Sequence, residues 1–335
     1  MKHLWRFYVA FVLLVMFSIL WLKIPKPLKS PKVYSVKIKL NEDFELINRL
    51  KRIQSKRNGK LNILLIGQWK SGSLYLAQLL TMYPNTFFVK DPVDSLNAEA
   101  MLEIANLFQC NLPQKNSTIS PSDINADLCS KSNINIIKNI SFRLKAITLQ
   151  PLLEYDPKLK VLLMVRDPRA IWNSRSNTID TGCAEGPYCQ NLDDFCPDLT
   201  EELDIVLKVS NGYQGRIKII RYEDLVQNNV PTIKKVFQYF NDTIDEKIVT
   251  KLVKSYQRGL KAMKIQRELG ITHQWINPHQ NIRKWLKQLP IETSKIISEK
   301  CSKVIKMLGY PPSKNGTLNS MVVEANEEIQ KILLT

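Results

Sequence analysis

The run LNILLIG at residues 61–67 is apolar almost without a break and ends in glycine. A strand buried on both faces has this pattern, whereas a strand with one wet face alternates. Two more runs repeat it, in KLKVLLMVRDP (158–168) and GRIKIIRYEDL (215–225), and TFFVKDP (86–92) and NIIKNISFRL (135–144) each hold a further strand. Helical patterns lie between them: SLYLAQLLTMY from 73 to 83, residues 95–109, a proline-interrupted ITLQPLLEYD, AIWNSRSNT, Glu201 to Tyr213 and VPTIKKVFQYF. Helices continue to about residue 268 and again from Thr293 to Leu308. Buried strands alternating with helices specify an α/β fold, a P-loop-like central parallel sheet flanked by helices on both faces. Residues 110–133 and 181–199 read as loops.

Ahead of this body, FYVAFVLLVMFSILWL (7–22) carries no charge. It predicts an N-terminal transmembrane helix, extending to residues 4–22 if Arg6 snorkels. Trp5 and Trp21 stand near its ends as interfacial anchors. No small-x-small cleavage site follows Leu22, so a retained signal-anchor is expected rather than a cleaved leader. The expected divisions are a cytoplasmic tail at 1–6, the anchor at 7–22, a basic stem at 23–59, a catalytic domain at 60–312 and a C-terminal tail at 313–335.

Flanking charge alone would leave the body cytoplasmic, since Lys23, Lys26, Lys29 and Lys32 outnumber Lys2 and Arg6. Six cysteines and four Asn-x-Ser/Thr acceptors, at Asn116, Asn139, Asn241 and Asn315, oppose that and favour a lumen. Cys183, Cys189 and Cys196 sit at spacings of six and seven with no histidine near, so a disulfide-tied loop fits better than a metal site. Cys110 with Cys129 would tie a loop around Asn116. Cys301 has either a long-range partner or stays a buried thiol.

The net charge of +17, from 48 Lys+Arg against 31 Asp+Glu, surrounds the chain with a positive field. A nucleic acid, a polyphosphorylated nucleotide and an anionic polysaccharide all suit it. Two local patterns narrow the choice. In QWKSGS a small-residue loop leads from a strand into a helix N-terminus, an arrangement that turns backbone N–H groups on an anion. Lys70 adds a cation and Ser71 and Ser73 add hydroxyls. Gly67 and Gly72 keep the glycine spacing of GxxxxGK[ST], but Ser73 stands where that motif needs lysine, so a triphosphatase loop is a poor fit. In VLLMVRDPRAIWNSR, Arg166 ends a strand, where open α/β sheets bind ligands. Asp167 caps the next helix, Pro168 fits its first turn, and Ser174 follows two turns on. Two anion grips on neighbouring strand ends match a nucleotide with phosphates at both 5′ and 3′ positions.

The chain resembles the Golgi carbohydrate sulfotransferases that act on the 6-hydroxyl of galactose, N-acetylgalactosamine or N-acetylglucosamine. The resemblance rests on IGQWKSGSLYLAQLL and VLLMVRDPRAIWNSR. RLKAI at 143–147, IIRYEDLV at 219–226, Trp285-Leu286, Ile291-Glu292, Cys301 and Leu308-Gly309-Tyr310 also agree. It implies a 3′-phosphoadenosine-5′-phosphosulfate donor, a glycan acceptor, no metal, and a single-pass type II Golgi membrane protein with a luminal catalytic domain. Nucleic acid drops out as a partner there, and a homodimer is allowed for. Carried over, Lys70, Ser71, Gly72, Ser73 and Leu74 cradle the 5′-phosphosulfate, and Arg166 with Ser174 binds the 3′-phosphate. The family's arginine at the first of these is Lys70 here, its serine or threonine is Leu74, and its Phe-Glu-Pro is Lys90-Asp91-Pro92. Lysine keeps charge but loses the bidentate fork. Lys70 and Asp91 are the expected catalytic residues, Asp91 as base or hydroxyl-orienting group.

Overall fold

The structure, a computed structural model, describes residues 60–334 except 84, 94–97, 112–125, 141–143, 145, 178–190, 241–245, 262–277, 313–317 and 319. Five strands, β1 (Leu61–Gly67), β2 (Thr86–Lys90), β3 (Ile134–Ile140), β4 (Lys160–Val165) and β5 (Ile217–Arg221), form one sheet in the order β2-β3-β1-β4-β5. Every pairing is parallel. All five fall on the runs expected to hold strands, β3 starting one residue ahead of its run.

Successive side chains of a strand point to opposite faces, and here each face meets its own core. Ile63, Leu65, Leu162, Met164 and Ile220 pack under α1 (Ser73–Thr81), and Leu64, Ile66, Leu163, Ile217 and Ile219 under the opposite layer. The opposite layer includes α2 (Ala98–Phe108), which supplies Met101, Ile104 and Phe108. Further along the chain come α3 (Ala126–Lys131), α4 (Ala146–Tyr155), α5 (Pro168–Ser176), α6 (Leu192–Gly212), α7 (Tyr222–Gln227), α8 (Asn229–Tyr239) and α9 (Glu246–Lys261). α10 (Pro278–Gln288), α11 (Ile291–Lys300), α12 (Ser302–Met307) and α13 (Glu327–Gln330) complete the described elements.

Three helices depart from the sequence expectation. α3 forms inside the stretch expected as loop. α6 begins at Leu192 within the expected cysteine loop because Asn191 caps it, accepting from the Asp194 N–H at 3.0 Å, with Asp193 and Asp194 favouring its positive end. α10 forms between residue 268 and Thr293, a stretch where no helix is expected, with Pro278 as its first residue.

A fold with a membrane-spanning helix is corrected. Among the described residues no helix is long and apolar enough to cross a membrane. The longest, α6, carries Asp193, Asp194, Asp198, Glu201, Glu202, Asp204 and Lys208, charges that a bilayer core does not admit. Residues 7–22, the expected anchor, lie outside the described residues, as does the stem. The membrane partner, the type II topology and the Golgi location derived from that anchor are withdrawn with it.

Two disulfides join Cys110 to Cys129 and Cys196 to Cys301. The first is the pairing that would tie a loop around Asn116, which the sequence left open, and the second supplies the long-range partner of Cys301. Cys183 and Cys189 lie outside the described residues. Asn139 is a sequon in sequence only: it is fully buried on β3, where its side chain accepts from the Val93 N–H and donates to the Ile140 carbonyl. The sequons at Asn116, Asn241 and Asn315 lie outside the described residues.

Residues past Tyr310 do more than trail. The Ile219 N–H donates to the Ile332 carbonyl and the Leu334 N–H to the Ile219 carbonyl, so the C-terminus pairs with the β5 edge. Met321, Ala325 and Ile329 are buried there. A covered edge has no unpaired backbone groups to offer another chain.

Candidate active site

The strand order sets the place of the site. The connection after β1 leads toward β2 on one side of the sheet, and the connection after β4 leads toward β5 on the other. The two chains part beyond the carboxyl ends of β1 and β4, where such sheets bind ligands. Gly67 lies opposite Met164 in the register, so the loop 68–72 and Arg166 leave the sheet side by side.

The loop is tight. The Ser71 N–H donates to the Gln68 carbonyl at 2.9 Å, closing a turn with Lys70 at φ 70 in its third position. That position of a type II turn wants glycine. A side chain there costs about 1 kcal/mol or more, so its surroundings must hold it. Gly72 follows at φ 93 and starts α1 with no side-chain cap, leaving the first N–H groups of α1 without a cap from that residue. A Cβ at Gly72 would stand 2.3 Å from the Tyr222 ring. At Gly67 it would stand 2.7 Å from both the Met164 carbonyl and Ser71 Oγ. The backbone has been brought as close to its neighbours as glycine permits.

Ser71 is 1% exposed, and its Oγ has no hydrogen-bond partner among the described residues. A buried hydroxyl left unpaired costs roughly 1–3 kcal/mol, so this one is poised for a ligand or a water. Ser73 is also buried, at the first turn of α1, and Leu74 is half-buried beside it. The Lys70 Nζ lies 4.6 Å from the centre of the Trp69 ring.

Arg166 is where the sequence expects it, at the end of β4, but its guanidinium is more engaged than an open phosphate grip. Nη1 donates to the Lys70 carbonyl at 3.1 Å and Nη2 to the Asn281 carbonyl on α10 at 3.3 Å. Its plane lies 4.6 Å from the Tyr222 ring, and Nε is buried without a partner among the described residues. Asp167 caps α5 as expected, accepting from the Arg169 N–H at 2.9 Å, and forms a buried ion pair with Arg169. Ser174 is half-buried on α5, between buried Asn173 and Arg175.

Beneath Arg166 lies Glu223, fully buried at the start of α7. Its Oε1 accepts from the Asp167 N–H at 3.2 Å and its Oε2 from the Tyr310 hydroxyl at 3.0 Å. Burial pushes the carboxyl up to about 7, against the pull of Arg166 and with the push of Asp167. Burial also raises the Tyr222 hydroxyl, with Arg166 opposing. A cavity of about 20 Å³ under the loop is lined by Gln68, Ser71, Arg166 and Glu202 among others. It has room for about one water and none for a nucleotide. A nucleotide would therefore lie across the strand ends, outside the loop.

Asp91 stands apart from these residues. It directly follows β2, two strands from β1, about 10 Å across the sheet. Both of its oxygens accept from the Lys138 ammonium, at 2.7 and 2.9 Å, and Oδ1 also accepts from the Ile140 N–H. Lys138 is buried on β3. Burial lowers its ammonium below the usual lysine range, and Asp91 opposes that.

The structure thus joins Lys70, Ser71, Gly72 and Ser73 with Arg166, and leaves Asp91 to Lys138. The sequence reading did not assign roles to Tyr222, Glu223, Arg175 or Lys138. The signal for the first two was available, because RYEDL follows a buried strand at the same edge of the sheet.

The family model of the sulfotransferase domain matches residues 60–309. The chain belongs to the sulfotransferase family. It is a sulfotransferase enzyme that uses 3′-phosphoadenosine-5′-phosphosulfate. Human carbohydrate sulfotransferase 5 is 21% identical over 327 residues, covering 76% of this chain and 78% of that protein. Mouse carbohydrate sulfotransferase 4 is 21% identical over 340 residues, covering 77% and 84%. Rat carbohydrate sulfotransferase 1 is 26% identical over 201 residues, covering 55% of this chain and 47% of its own length. Among solved structures, mouse sulfotransferase SULT7A1 complexed with PAP is 11% identical, with a TM-score of 0.47 over 79% of this chain and 90% of that one.

Proposed function

We propose that this sulfotransferase transfers the sulfuryl group to the 6-hydroxyl of a galactose, N-acetylglucosamine or N-acetylgalactosamine residue in a glycan. The relatives' names support a carbohydrate acceptor. The observation that carries the donor's placement is the unpaired, buried Ser71 hydroxyl in a glycine-tight loop at a helix N-terminus. That loop fits a tetrahedral anion. Its residues Lys70, Ser71, Gly72, Ser73 and Leu74 would hold the 5′-phosphosulfate, and Ser174 with the unpaired Nε of Arg166 would meet the 3′-phosphate.

The bound donor supplies an activated sulfuryl group. As the sugar oxygen bonds to sulfur, the bond from sulfur to the 5′-phosphate oxygen breaks and negative charge collects on that oxygen. Lys70 and the N–H groups of the loop are preorganised to stabilise it. The hydroxyl proton passes to solvent water, directly or by way of the Asp91 carboxylate. Asp91, locked by Lys138, suits a fixed acceptor that orients the hydroxyl more than a free-swinging base. The surplus positive charge draws the anionic donor in.

Transfer of labelled sulfate to a panel of sugars, each paired with its 6-deoxy analogue, tests this. Transfer should require the 6-hydroxyl and fall about 10²–10³-fold in Lys70→Ala. Transfer that persists on the 6-deoxy sugars would move the acceptor position. Donor binding without any transfer would leave a silent glycan-binding relative.

A further inference from the structure

A second arginine shapes the donor loop, and neither composition nor spacing marks it. Arg175 lies on α5, 5% exposed. Its Nε and Nη2 donate to the Trp69 carbonyl at 3.3 and 3.2 Å, and Nη2 also donates to Gln68 Oε1 at 3.2 Å. The Gln68 amide in turn donates to Glu202 Oε2 on α6 at 2.9 Å. The Phe195 ring, 4.9 Å away, braces the guanidinium from the side. Burial works against the charge of Arg175, while Glu202 and Asp198 offset it.

These bonds grip one peptide. The Trp69 carbonyl is the central carbonyl of the turn at 68–71, and φ 70 at Lys70 reports that this peptide is flipped relative to the commoner type I turn. Lysine disfavours that state, and left alone the peptide would return. Because a trans peptide is planar, holding the carbonyl toward Arg175 turns the Lys70 N–H the opposite way. Arg166 takes the next carbonyl, at Lys70. Two arginines of one helix–strand unit thereby hold two consecutive carbonyls of the loop.

We propose that Arg175 is a positioning residue for donor binding. It holds the Trp69–Lys70 peptide in the flipped state that presents the Lys70 N–H, and with it the Lys70 side chain, to the 5′ group of the donor. The proposal rests on the donor reading above. It separates the two ends of the donor, since Arg175 acts on the 5′ side only.

The test is calorimetric titration of the full chain and its Arg175→Gln and Arg175→Lys variants with two probes, adenosine 3′,5′-bisphosphate and adenosine 3′-monophosphate. Arg175→Gln should weaken the bisphosphate about tenfold or more and leave the monophosphate within about twofold. Arg175→Lys keeps charge and bulk but loses the fork, so it should show the same selectivity to a smaller degree. It carries the test if Arg175→Gln does not fold. Equal loss for both probes, or no loss for either, would overturn the proposal. Wild-type protein that binds neither probe would sink the donor reading instead, and the proposal with it.

Discussion

At the scale of single residues, Gly72 is the most constrained position of the site. It adopts a backbone state that side chains resist, and the Tyr222 ring fills the space where a Cβ would go. Gly72→Ala should cost about 1–2 kcal/mol from the backbone alone. It should also push the Tyr222 ring, and with it the stacked Arg166, out of place. A lower melting temperature together with weaker bisphosphate binding is expected; binding at wild-type strength would show that Tyr222 and Arg166 do not depend on this contact. Glu223 makes a prediction of opposite character. Its carboxyl rises from 4.5 to about 7 on folding. Between those values the native state binds the extra proton, so stability falls as pH rises through this window and levels off above it. The term amounts to about 3 kcal/mol at most. Glu223→Gln should flatten that part of the stability–pH curve in denaturant titrations. An unchanged slope would mean that Glu223 titrates normally. Gly72 was legible in the sequence because loop chemistry needs glycine there. Glu223 was not, because its burial depends on Tyr310 arriving from far along the chain.

At the scale of elements, the strands were legible for a physical reason. A strand buried on both faces has to be apolar throughout, and few other elements are. The second motif was legible too, down to Asp167 as the cap and Pro168 in the first turn of α5. Less visible were elements fixed from outside themselves. α10 reads as a polar turn by composition, and its stability comes from burying Ile282 and Trp285 against the body, with Arg169 over the indole. The pairing of Cys196 with Cys301 was equally hidden, since it joins the start of α6 to the end of α11 across 105 residues. Closing so long a loop is worth about 4–5 kcal/mol in the chain-entropy view, against about 3 for the 19-residue separation of Cys110 and Cys129. Replacing Cys196 and Cys301 together by serine should therefore lower the unfolding free energy more than the same change at Cys110 and Cys129. The reverse order in paired denaturant titrations would show that strain or residual structure, rather than loop length, governs both.

At the scale of the whole molecule, one sheet brings the loop after β1 and the end of β4 together at its parting point. In the proposed reaction the loop after β1 would meet the charge that develops in transfer, and Arg166 at the end of β4 holds that loop through the Lys70 carbonyl. That bracing was not legible in the sequence, which gives Arg166 a ligand but not the Lys70 and Asn281 carbonyls it also holds. Asp91 likewise reads as a free carboxylate until the fold sets Lys138 beside it. The account requires that this arrangement prefer a nucleotide with separate 5′ and 3′ phosphates to one with a phosphate chain. Titration of the full chain with adenosine 3′,5′-bisphosphate and, separately, with ATP and magnesium tests that most directly. The account predicts tight binding of the bisphosphate, weakened in Arg166→Ala, and little binding of ATP. Preference for ATP with magnesium, or bisphosphate binding indifferent to Arg166, would contradict it.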